Sequence, residues 1–164
     1  MPSVPHTFTT RRAEETERAG ELFAGLLAPD DVVVLTGDLG AGKTCLVQGV
    51  ARGLGIGEPV TSPTFNLLLV HPGRLPLCHV DLYRLERAEE LEDIGFFEAL
   101  ESSAACLIEW GDRFPQALPA DHVSVVISRG AGDTRAFEVR GAGPRSDVLA
   151  AAWAAACREE GLVP

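Results

Sequence analysis

The stretch GDLGAGKT, Gly37 to Thr44, sets three glycines around a single lysine and a threonine. It fits the pattern G-x-x-x-x-G-K-[ST], and each residue type has a chemical reason to be there. Glycines permit backbone angles that a Cβ forbids, so successive N–H groups can turn toward one point. Together with the positive end of a following helix they make a cradle for an anion. In such a cradle the Lys43 ammonium can reach β- and γ-phosphates, and the Thr44 hydroxyl can ligate Mg²⁺.

Lys43 is the only lysine in the chain; the other 13 of the 14 basic residues are arginine. An ammonium is a compact charge on a flexible stem, whereas a guanidinium is a wide planar fork. A loop closed around phosphate has room for the first and not the second. The lone lysine also argues against a guanine reader, because an N-K-x-D loop would need another. The base is expected to be adenine, or to be read loosely.

The elements around this loop must hold it in place. DVVVLTG is a β-branched run of the kind buried on both faces of a sheet, and it leads straight into the glycines. A helix from Lys43 to about Leu54, closed by Gly55, follows. HTFTT reads as a short strand. Ala19, Leu22, Phe23, Leu26 and Leu27 share one face of a helix that Pro29 ends. Apolar runs on either side of PGRLP predict a hairpin, and HVSVVISR with TRAFEVRG, around GAGD, predicts a second. ACLIEWG is another buried strand. SDVLAAAWAAACREEG predicts a C-terminal helix over 146–161, with Ser146 as N-cap and Gly161 as stop. The pattern implies a single α/β domain over 1–164, three-layered, with a mixed sheet.

Composition narrows the classes. Net charge is −10, with seven acids against one base from Glu86 to Glu101. That argues against this chain holding nucleic acid by itself, since such binding rests largely on Lys and Arg contacts to phosphate. The acidic run reads as a solvated helix face or, more sharply, as a docking surface for a basic partner. No run reaches the roughly 20 apolar residues of a membrane span, and the first residues lack the apolar core of a secretory signal. A cytoplasmic chain is expected. Cys45, Cys78, Cys106 and Cys157 show no metal-ligand spacing, and three of them sit in apolar or helical contexts as small buried hydrophobes.

Four further motifs follow the loop in order: VTSPTFNLL (Val60 to Leu68), HVDLYRL (His79 to Leu85), EELEDIGF (Glu89 to Phe96) and LIEWGDR (Leu107 to Arg113). In set and order they resemble the TsaE family of bacterial P-loop ATPases, from about Thr10 to the hairpin near Val139. The resemblance implies a Mg²⁺-dependent, partner-stimulated ATP hydrolase with low intrinsic activity. Its role would lie in forming the threonylcarbamoyladenosine of tRNA, binding the TsaB–TsaD pair and supporting its multiple turnovers. Direct contact with tRNA is not expected to dominate.

The resemblance also implies residue roles. Gly37, Asp38, Leu39, Gly40, Ala41, Gly42, Lys43 and Thr44, with Cys45 after them, would hold ATP or ADP. Thr44 and Glu109 would hold the metal. Asp81 would orient or activate water, although the two carboxylates can exchange roles at this level. Thr10, opening a segment that runs to Thr16, would lie beside the adenine. Ser62 and Thr64 fall where a first switch loop would sense the γ-phosphate, or simply enter a strand. Trp110 either shields the site or packs the core, and His79 reads as a core histidine. Arg129 and Arg135 are possible fingers. Gly111 and Asp112 depart from the family's usual Pro or Ala then Glu. Two other readings share the loop: a small-molecule kinase, and a nucleotide-gated adaptor without essential hydrolysis.

Overall fold

The computed structural model describes residues 3–38, 40–61 and 67–164. Seven strands form one mixed sheet among them: β1 (His6–Thr10), β2 (Val32–Thr36), β3 (Leu68–His71), β4 (Leu77–Asp81), β5 (Ala105–Glu109), β6 (Val123–Arg129) and β7 (Arg135–Gly141). Their order is β1-β7-β6-β2-β5-β4-β3. The four central strands run parallel, β2 between β5 and β6 and β4 beyond β5, while β1, β7 and β3 are antiparallel to their neighbours. Parallel strands covered on both faces need apolar residues at every position. β5 is accordingly buried throughout, and β2 is buried at all but its last residue.

Helices cover both faces, giving the three layers that the sequence implied. On one face lie α1 (Ala13–Ala24), α2 (Lys43–Gly53) and α5 (Pro144–Glu159), around a core that includes Phe8, Phe23, Leu46, Val50, Phe137 and Trp153. On the other, the short α3 (Glu90–Asp93) and α4 (Phe96–Leu100) bury Leu91 and Phe96 against Val80, Cys106 and Ile108. Cys78, Cys106 and Cys157 are all buried in these two cores, as small hydrophobes.

α1 and α2 cross with their backbones touching. A Cβ on Gly49 would lie 2.1 Å from the Glu17 carbonyl oxygen, and one on Gly20 only 2.4 Å from that of Leu46. Glycine at these positions is a condition of the contact.

Three boundaries differ from expectation. α1 stops at Ala24, with Gly25 as its cap, because Leu26 and Leu27 both turn back to the Phe23 carbonyl. Leu27 still reaches the core from the turn. α5 begins at Pro144, with Gly143 as N-cap, so Ser146 lies inside its first turn. Asp121, from the loop before β6, accepts from the Arg145 and Ser146 amides and supplies the cap that Ser146 was expected to give. The acidic run is not one helix face: Gly95 at φ 78° separates α3 from α4, and Leu91 and Phe96 turn inward while the acids stay outside.

Candidate functional site

β2, β4 and β5 all deliver their C-terminal ends to one edge of the sheet, where open α/β folds place their ligand crevices. There β2 leads into the glycine loop and α2 starts at Lys43 with Gly42 as its N-cap. Gly40 and Gly42 have φ of 79° and 108°, which only glycine adopts readily. Ala41 is buried, and its amide bonds back to the Asp38 carbonyl at 3.0 Å. Leu39 and the segment 62–66, which contains Ser62 and Thr64, lie outside the described residues.

Lys43 is buried, 4% exposed, and its ammonium donates to the carbonyls of Gly37 at 2.5 Å and Asp38 at 2.9 Å. It also sits 4.5 Å from the centroid of the Trp110 ring. Burial pulls its pKa below the usual lysine value, while Glu109, Asp81, Asp38 and Asp112 pull it back up. The site is therefore a buried cation ringed by carboxylates.

Glu109 ends β5 and is itself buried, 3% exposed. Strand register sets it directly beside Asp81 of β4 and Leu35 of β2. One of its oxygens lies 2.5 Å from Nε2 of His79, a residue with no exposed surface. Asp81 is half-buried and accepts from the Tyr83 amide at 3.0 Å. Directly after Glu109 the backbone turns left-handed: Trp110 has φ 64°, a strained angle for a bulky side chain. That turn brings its ring against Tyr83, centroids 5.0 Å apart, and over Lys43. Arg113, in the one-turn helix that follows, donates to the Tyr83 carbonyl.

Gly40, Gly42, Lys43, Thr44, Cys45, Asp81, Glu109 and Trp110 together line a cleft of about 320 Å³. The structure thus gathers the loop, both carboxylates and Thr44 at one place. The Cys45 thiol faces the Ala13 carbonyl, and burial, with Glu17 and Glu14, raises its pKa. Thr10 does not line the cleft: it is fully buried, and its hydroxyl shares a 2.7 Å hydrogen bond with that of Thr16. Of the two arginines, Arg135 leans on the loop, its Nη2 donating to the Gly40 carbonyl at 3.4 Å. Arg129, its register partner, places Nη1 3.7 Å from where a Cβ on Gly40 would stand.

One contact was not anticipated from sequence, and one was expected only as an alternative. The His79–Glu109 hydrogen bond spans 30 positions and exists only through strand pairing. Trp110 joins the cleft as well as packing, through a backbone angle that composition does not announce. The signal that could have pointed to His79 is the alternation His-x-Asp, since residues two apart on a strand share a face.

The donor set suits a magnesium nucleotide. Among the described residues no cluster of three or more His, Cys, Asp or Glu could cage a metal. Mg²⁺ needs no such cage, being held through one or two carboxylates together with phosphate oxygens and water. Thr44, Glu109 and Asp81 offer such oxygens, beside Lys43.

Comparison with known proteins agrees with this geometry. The family model for "Threonylcarbamoyl adenosine biosynthesis protein TsaE" matches residues 10–137. The chain belongs to the TsaE family. A Treponema pallidum protein named tRNA threonylcarbamoyladenosine biosynthesis protein TsaE is 48% identical over 72% of this chain and 87% of its own length. Its Bacillus subtilis namesake is 40% identical over 85% and 88%. The crystal structure of Bacillus subtilis YdiB superposes with a TM-score of 0.80 at 32% identity, covering 95% of this chain and 98% of that one. The TsaE match takes in the loop, both carboxylates and Trp110, and ends before α5.

Proposed function

We propose that this chain is a Mg²⁺-dependent ATPase acting in the cytoplasm in the biosynthesis of tRNA threonylcarbamoyladenosine. It binds the TsaB–TsaD pair and hydrolyses ATP so that the pair can turn over repeatedly. The observation that carries the chemistry is Lys43. The chain's one ammonium is buried at the foot of a glycine loop, against a cleft that two carboxylates share. The names of the TsaE relatives carry the pathway.

In this reading the loop amides and Lys43 bind the β- and γ-phosphates of ATP. Thr44 and Glu109 hold the metal, which when bound neutralises charge on the phosphate oxygens. Asp81 orients the attacking water. Trp110 excludes bulk water from the Lys43 side, which strengthens every charge interaction within the cleft.

Calorimetry on the purified chain is expected to show uptake of ATP and ADP with magnesium. Phosphate release should be slow for the chain alone and faster with TsaB–TsaD added. No uptake of either nucleotide would overturn the reading. Transfer of labelled phosphate to a metabolite would indicate a kinase instead. Sustained tRNA modification by a Glu109→Ala variant that binds ATP without hydrolysing it would indicate an adaptor.

A further inference from the structure

We propose that His79 is a positioning residue for this cleft: its Nε2–H fixes the Glu109 carboxylate, committing one oxygen to the interior and presenting the other to the ligand side. The inference rests on the functional reading above for its consequence, and on geometry alone for the contact.

His79 sits on β4 with no exposed surface, and Glu109 ends the adjacent β5 at 3% exposure. Their separation is 2.5 Å, Nε2 to Oε2. An ionised carboxylate only accepts hydrogen bonds, so the ring nitrogen facing it carries the proton. The other ring nitrogen, Nδ1, is buried without a hydrogen-bond partner among the described residues. The ring gives its Nε2–H to Glu109. A carboxylate this buried has to be held by donors or it is driven out of the interior. The His79 backbone is paired on both sides, with β3 and β5, and so holds its place better than a loop would. Glu109 also lines the cleft, so it joins the core hydrogen bond to the site. His79 does not line the cleft; whatever it does there it does through Glu109.

Two variants separate positioning from packing. His79→Leu keeps the bulk and loses the donor, while His79→Gln can return an N–H to about the same place. With His79→Leu, phosphate release is expected to fall ~10- to 100-fold, while the affinity for Mg·ATP, read by calorimetry, stays within about threefold. His79→Gln should recover most of the rate. A folded His79→Leu chain at full rate, or a folded His79→Gln chain no better than His79→Leu, overturns the proposal. A second measurement needs no nucleotide: ¹⁵N NMR of the unaltered chain should show His79 carrying a proton on Nε2. That proton should exchange slowly and lose its protection in Glu109→Ala. A ring protonated at Nδ1 alone, or one that exchanges freely, overturns the contact itself. If the unaltered chain takes up no ATP, the functional reading fails while this measurement still decides the contact.

Discussion

The seam beside α5 and the cleft between β4 and α2 both hold buried side chains, yet they are built from opposite materials. In the seam, Trp153 stacks on Phe23 at 4.0 Å and meets Phe8 edge-on at 5.2 Å, while Phe8 stacks on Phe137 at 4.6 Å. Its one polar atom, the indole N–H, donates to the Ala19 carbonyl at 2.8 Å. Each large side chain buried there stabilises the fold by roughly 1.5–3 kcal/mol. The cleft, with His79 behind it, instead gathers a buried ammonium, carboxylate and imidazole, groups that cost free energy to desolvate and hold together only as a set. The difference teaches that burial in this molecule serves two ends, cohesion on one side and a preorganised field on the other.

Breaking the seam should give the largest change. Trp153→Ala is expected to lower stability by about 3–5 kcal/mol, read from urea unfolding, with Mg·ATP affinity of the folded fraction unchanged. Altered affinity would show that the two regions are coupled. Lys43→Ala should do the reverse. Hydrolysis is expected to fall by roughly 10²- to 10³-fold, as when a preorganised charge donor is removed, and the urea midpoint should move far less than in Trp153→Ala. A comparable midpoint shift would make the ammonium a structural brace first.

The smallest effect sharpens the comparison at the start of α5. Asp121 is held below the usual carboxyl range, first by its hydrogen bond with the Ser146 side chain and further by the Ser146 and Arg145 amides, burial opposing. A depressed carboxyl stabilises the fold above its unfolded-state pKa, and the gain disappears as pH falls through the folded value. Asp121→Ala should therefore cost about 1 kcal/mol near neutrality and flatten the acid limb of the stability profile. A profile parallel to that of the unaltered chain would show that this cap carries no such linkage.

The loop, the strand before it and the helix after it were legible because the chemistry is local: the residues that make the cradle are consecutive. The two carboxylates were legible through the family resemblance, and the paired hairpins as apolar runs around glycine turns. What the sequence did not disclose depends on register and on distant chain. Asp121 caps a helix that starts 23 positions later, and no local pattern ties the two. Gly95 ended a helix that the acidic run alone seemed to extend, because a left-handed residue there let Leu91 and Phe96 both turn inward. Thr10, which the resemblance places beside a base, is fully buried and shares a hydrogen bond with Thr16, a contact set by the strand-to-helix connection.

The bare-backbone crossing of the first two helices has a mechanical outcome. With Glu17 and Leu46 carbonyls pressed into the space that side chains would fill at Gly49 and Gly20, the second helix is keyed in its seat and cannot slide or roll without collision. The lip that carries Lys43 and Thr44 is thereby the anvil. The opposite wall, at Trp110, is set instead by a left-handed backbone angle and by the ring's packing on Tyr83.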